Sequence, residues 1–212
     1  MGKIKKKKIG LLEKILGYIG KKLMYRQQRK ISKLLVNLAN RELVRLLYEI
    51  DGNLETALRI LYDLSTHAGH DFLMEWVEKG SVIFSKNLAD HAFWIKSGYY
   101  SFTGDNIKFI KYIPPEKEGD PHKIVWRIYE CFVCAGMDHD NSFEIKKEDF
   151  GEHGYGGVTA GIFQTTTNMI NEYVGIEFEC RVRETKCILK GDPYGEFVAE
   201  YYPKKSTESK NE

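Results

Sequence analysis

The sequence contains no run approaching the roughly 20 consecutive apolar residues that a spanning helix needs. It shows no secretory leader with an apolar core and a small-residue cleavage site. Its four cysteines do not suggest a disulfide framework. No Walker lysine with its Ser/Thr is present, and no dinucleotide fingerprint. Nothing supplies a nucleophile, a base and an orienting group together, as covalent catalysis requires. No recognisable helix-turn-helix or ATPase accompanies the chain. The expectation is a soluble, cytoplasmic protein that does not bind nucleic acid directly, with the question of an enzyme left open and leaning against one.

Hydrophobic residues make up 42% of the 212 residues and charged ones 29%, enough apolar material for one sizeable core. The net charge of +2 hides an asymmetry: residues 1–50 carry 14 Lys/Arg against 3 Asp/Glu, and the remainder is acidic. Three regions are expected: a basic helical extension over 1–50, a domain over 51–202 and a disordered tail over 203–212.

In the extension Leu12, Ile15, Leu16, Ile19 and Leu23 recur at spacings of three and four, with lysines between them. Such a basic amphipathic helix can lie on an anionic membrane surface, dock on a partner protein, or pack as an ordinary helix. Residues 31–50 read as helical, with Asn40 a candidate cap before RELVRLLYEI. Asp51-Gly52 ends that helix. Asn53 can cap a long one running to Gly80, whose small residues Ser65, Ala68 and Gly69 allow close approach. A shorter helix is expected from Asn87 to Gly98. From Ile107 the periodicity changes to two: IKFIKYI and KIVWRIYECFV read as strands, then VTAGIFQTTTNMINEYVG as a helix ending at Gly175. Two last strands, GIEFECRVRETKCILK and YGEFVAEYY, flank the turn Gly191-Asp192-Pro193. The expected fold is α+β, helices packed on an antiparallel sheet of about four strands.

Several residues are candidates for chemistry. Cys131 and Cys134 form a C-x-x-C pair, a metal or redox spacing. Inside a strand, however, residues three apart point to opposite faces, which makes two separate core cysteines the expectation. The same objection applies to Glu184 and Cys187. His67 and His70 share a helix face without a third ligand nearby in sequence. GEHGYGGVTAG is glycine-rich before a helix, suited either to an anion or to close packing.

The stretch VTAGIFQTTTNMINEYVGIEFECRVRETKCILKGDPYGEF resembles the C-terminal signature of the 4-vinyl reductase domain family. Gly157, Gly161, Glu184, Cys187, Gly191, Asp192, Pro193 and Phe197 carry the pattern, and ILYDLSTHAGHDFLMEW looks like the family's long helix. The resemblance covers roughly residues 50 to 202. It implies a fold shared with TRAPP vesicle-tethering subunits and with the aromatic-sensing domains of NtrC-type activators, commonly dimeric, with an apolar pocket. In the aromatic sensors a structural zinc is held by an upstream Cys, a Glu and two further Cys. Glu184 and Cys187 match the Glu-x-x-Cys pair. The last cysteine falls at Gly195, which cannot ligate, and the upstream one falls near Glu152, beside His153. Zinc held by Glu184, Cys187 and His153 is therefore expected, with Cys134 or Cys180 able to compensate if the fold brings one close. For ligand contact the resemblance points to His139 and Met137. The function implied is a dimeric sensor of a hydrophobic or aromatic molecule, the alternative a TRAPP-like scaffold, and the third reading an enzyme of tetrapyrrole or aromatic metabolism.

Overall fold

The computed structural model describes residues 8–27, 32–67, 70–134 and 147–204. Six helices pack on a four-stranded antiparallel sheet of order β1-β2-β4-β3. They are α1 (Leu11–Gln27), α2 (Lys33–Asp51), α3 (Leu54–His67), α4 (His70–Gly80), α5 (His91–Thr103) and α6 (Gly157–Val174). The strands are β1 (Phe109–Ile113), β2 (His122–Ile128), β3 (Phe178–Lys186) and β4 (Gly195–Pro203).

Alternation along the strands sets the two faces of the sheet. Ile124, Trp126 and Ile128 of β2, Cys180 and Val182 of β3, and Phe197, Ala199 and Tyr201 of β4 are buried beneath the helices. On the opposite face Glu200 joins Lys123 (2.9 Å) and Arg183 (3.0 Å), and Arg127 joins Glu196 (2.8 Å). α6 lies along the outer edge of β3 and satisfies its backbone with amide side chains. Asn168 donates to the Cys180 carbonyl (2.9 Å) and accepts from its N–H (2.7 Å), while Gln164 accepts from Val182 N–H (2.9 Å). An edge that would otherwise present free donors is thereby closed. α3 crosses α6 closely because a Cβ on Gly161 would come within 1.8 Å of Ser65 Oγ and 2.8 Å of the Tyr62 carbonyl.

Three local expectations are corrected. Asn40 is no cap: α2 runs unbroken from Lys33 to Asp51, and Asn40 is buried inside it. α5 does not stop at Gly98 but continues to Thr103, closed by left-handed Gly104. Gly98 is internal because Trp76 lies against it, 2.8 Å from where a Cβ would be. β2 ends at Ile128, short of the cysteines. The cap at Asn53 is as expected, its side chain accepting from Thr56 N–H (3.0 Å). The long helix expected to reach Gly80 is described as α3 and α4, with residues 68 and 69 outside the described residues.

His91 is wholly buried at the start of α5, its Nδ1 3.1 Å from Tyr201 Oη, and burial pulls its pKa from 6.5 down to about 3. The unfolded chain takes up this proton below about 6.5 and the folded chain refuses it until far lower, so stability falls as pH falls through that window. The loss from this residue is about 1.4 kcal/mol per pH unit. Urea unfolding at a series of pH values from 7 to 5 should show the decline, and His91→Gln should lack it.

Candidate functional site

The segment after β2 makes a turn, in which Cys134 N–H donates to the Cys131 carbonyl (3.1 Å). The turn overrides the alternation of a strand and places the two sulfurs 3.2 Å apart in the interior. The pleat of β3 is broken as well. Its register with β4 shifts between Glu184 and Lys186, the strand ends there, and a 3₁₀ turn follows over Ile188–Lys190. Glu184 and Cys187, expected on opposite faces, therefore both point inward and are buried. Cys134 hydrogen-bonds Cys187 as well as Cys131, and Cys187 in turn neighbours Glu184. The Cys134 hydrogen bond draws the Cys187 thiol down to about 6, against the opposing effect of burial. Burial first, and then Cys187 and Cys131, push the Glu184 carboxyl well above the usual carboxylate range.

Three glycines make room for this carboxyl. A Cβ on Gly154 would stand 1.8 Å from Glu184 Oε2, one on Gly156 2.8 Å from Oε1, and one on Gly195 3.2 Å from Oε1. Gly156 N–H, at the start of α6, donates to Oε2 at 2.8 Å, so the glycine-rich loop packs round a carboxyl group, the chain's own Glu184. Oε1 is buried with no hydrogen-bond partner.

Other sequence candidates lie elsewhere. His153 lays its ring against Tyr62, centroids 5.0 Å apart. Cys180 is buried, its thiol bonded to Thr167 and Tyr201. His67 Nδ1 is 2.9 Å from the Asp63 carbonyl. Met137 and His139 lie outside the described residues. Among the described residues, no group of three or more His, Cys, Asp or Glu is placed to hold a metal ion.

Beside the cysteines, α4, α5 and α6 enclose a cavity of about 350 Å³. Trp76, Trp94, Tyr99, Phe132 and Phe163 wall it, and half-exposed Phe102 and Ile162 stand at its mouth. The remaining lining residues are Leu73, Gly98 and three threonines, so no ionisable carboxyl, amine or imidazole enters it. Phe132, between Cys131 and Cys134, belongs to both features. The α5 and α6 residues that line the cavity were legible only as apolar or small positions on helices, since periodicity does not show which helices stand apart.

The arrangement is a mixed α+β domain. No protein-family model matches the chain, and no curated protein does. Among solved structures it is similar to a trafficking protein particle complex subunit 3 from Naegleria fowleri covalently bound to palmitic acid. The TM-score is 0.58 at 17% identity, over 84% of this chain and 100% of that one. It is also similar to the phenol-responsive sensory domain of the transcription activator PoxR with phenol, at TM-score 0.52 and 13% identity, over 86% of this chain and 89% of that one. Both are fold relatives of the kinds that the C-terminal pattern implied.

Gly154→Ala is expected to destabilise the fold by about 1–3 kcal/mol through overpacking against Glu184. Adding Glu184→Ala should recover part of the loss, giving a non-additive double-mutant cycle by urea unfolding. Additive losses would mean that Gly154 serves something other than the carboxyl.

Proposed function

We propose that the chain is a non-catalytic module that holds a hydrophobic small molecule between α4, α5 and α6. The carrying observation is the aromatic cavity of about 350 Å³, within the range of ordinary ligand sites and lined by no carboxyl, amine or imidazole. Both fold neighbours support the reading, one carrying palmitic acid and the other phenol. The wall favours the apolar part of such a molecule, because Trp76 Nε1, Trp94 Nε1 and Thr159 Oγ1 are buried behind it. A ligand at one hundred times its Kd adds about 2.7 kcal/mol of stability. Saturated fatty acids or phenols, screened by thermal shift and native mass spectrometry, should therefore raise Tm by several degrees. Ile162→Trp, filling the mouth from a half-exposed position, should abolish the shift while leaving the unliganded Tm unchanged. No shift with either series would sink the reading.

The module's partners follow from α1 and α2, whose apolar faces point outward. α2 buries Asn37, Asn40 and Val44 against α3 and leaves Leu34, Leu35, Leu38 and Leu46 exposed. Arg45 pairs with both Glu42 and Glu49 along the helix, and α2 carries three Lys/Arg against three Asp/Glu, so no surplus charge opposes a second copy there. This face is assigned to a second copy of the chain. α1 differs. It packs on α5 and the Ser81–Ile83 turn with Gly17 and the stem of Lys21, while Leu11, Leu12, Ile15, Ile19 and Leu23 are 49–77% exposed. Lys14, Lys22 and Arg26 accompany them, and the surplus of positive charge in residues 1–30, 11 Lys/Arg against one Asp/Glu, disfavours pairing two copies there. No described helix is long and apolar enough to cross a membrane, so α1 is assigned to lying in the plane of an anionic bilayer surface. Leu38→Arg should shift sedimentation equilibrium from dimer to monomer. Separately, Leu12→Glu/Ile19→Glu should reduce pelleting with phosphatidylserine vesicles without changing oligomeric state. Equal pelleting of wild type and double variant would remove the membrane assignment.

A further inference from the structure

We propose that the flank between α1 and α5 binds a phosphomonoester, with Lys21, Lys22 and Lys96 as its cations. The inference rests on the reading of α1 as a helix lying on an anionic bilayer, and it names the headgroup chemistry which that surface would present.

Lys21 is the centre of the site. It lies on the packed side of α1 with Gly17 and is only 9% exposed. An ammonium withdrawn from water to that degree normally has a carboxylate beside it. Among the described residues, no carboxylate pairs with Lys21, Lys22 or Lys96. Aromatic rings stand in the carboxylate's place. Lys21 Nζ is 4.6 Å from the centre of the Tyr100 ring on α5 and 5.1 Å from that of Tyr18. Lys22 Nζ is 4.5 Å from the same Tyr18 ring. Ring faces attract a cation but bring no charge to neutralise it. Half-buried Lys96, one turn before Tyr100, adds a third positive charge. Burial lowers the Lys21 pKa, and repulsion from Lys96 and Lys22 lowers it further. A methionine would bury a similar stem with none of this cost, so the charge is unexplained by packing.

An anion between the two helices answers all three cations at once. Each ammonium has three N–H donors and no acceptor. A phosphomonoester brings three terminal oxygens and a charge of about −1.5 to −2 near pH 7, where a carboxylate brings about −1. The place also suits a headgroup. Tyr18 and Lys22 are exposed, and Tyr18 borders the apolar stripe, three residues after Ile15 and seven after Leu11. With the leucines in the hydrocarbon, this flank lies at headgroup depth.

Full-length protein pelleted with phosphatidylcholine vesicles tests the site when these carry either phosphatidic acid or phosphatidylserine, matched for surface charge. Wild type is expected to bind the phosphatidic acid vesicles several-fold more strongly. Lys21→Met should erase that preference. Lys14→Met, which removes an exposed charge from the same helix, should weaken binding to both lipids and keep it. If Lys21→Met fails to fold, Lys96→Met on the other helix repeats the test. A soluble arm is independent of the bilayer. Glycerol 3-phosphate, followed by phosphorus NMR, should show a saturable shift with wild type and none with Lys21→Met. Leu12→Glu/Ile19→Glu should lose pelleting yet keep the soluble signal, which separates failure of the membrane reading from failure of the site. Soluble binding without a preference between lipids supports the site and gives it to a free phosphate. Equal pelleting by wild type together with no soluble signal overturns the site. So does a preference that survives in both Lys21→Met and Lys96→Met.

Discussion

A carboxylate carried into a protein interior loses its hydration, and unless hydrogen bonds, a proton or a cation replace it the loss exceeds what one residue can be allowed. Glu184 is buried at the inward-facing end of β3, and much of the surrounding backbone is arranged around that fact. Gly154, Gly156 and Gly195 come from the loop before α6 and the first residue of β4, and each lacks the Cβ that would strike the carboxyl. The N-terminus of α6 presents Gly156 N–H to it, where the helix dipole favours negative charge. The register shift after Glu184 ends the strand and turns Cys187 inward. One side chain thus fixes where α6 begins, where β3 ends and which way a thiol points.

The start of α6 is set by Glu184, and its length by the edge of β3. Gln164 and Asn168 bond the strand's backbone at Val182 and Cys180, and Asn171 donates to the Phe178 carbonyl (3.1 Å). These positions recur at spacings of four and three, one stripe of the helix. Thr159, Phe163 and Thr166 form another stripe at the same spacing, and that one lines the cavity. Polar attachment of one face therefore leaves a second face to border an open volume instead of filling it. α5 approaches from the other side with Gly98 against Trp76, which keeps the indole as a wall of the cavity. The cavity follows from how α6 is held to the sheet and how close α5 is permitted to come.

Local pattern showed the order of elements well, because burial of one face imposes period 3.6 on helices and period two on strands. It showed less of the site. The apolar run KIVWRIYECFV reads as one strand, yet β2 stops at Ile128, where its partner β4 begins at Gly195. A strand needs a neighbour to bond, and none lies beyond that pair, so the cysteines fall into a turn whose spacing logic is that of a knuckle. The break after Glu184 has the same character: it falls beside a carboxyl bonded by the loop before α6 and bordered by the first residue of β4, both distant in sequence. Gly195 reads as a missing ligand in a linear comparison, and in three dimensions it is space made for Glu184.

α1 exposes the limit of periodicity most clearly. The spacing of Leu12, Ile15, Leu16, Ile19 and Leu23 identifies an amphipathic helix and is silent on which side meets the fold. Ordinarily the larger apolar face wins, since burial is worth about 25 cal/mol per Å². Here the packed side carries Gly17, where a Cβ would lie 2.6 Å from Ile83, and Lys21, whose ammonium sits 4.6 Å from the centre of the Tyr100 ring. Close approach over glycine and a cation over an aromatic ring hold the helix to the body without using its leucines. The outward leucines and the lysines beside them are the features on which the proposed contact with an anionic bilayer surface rests.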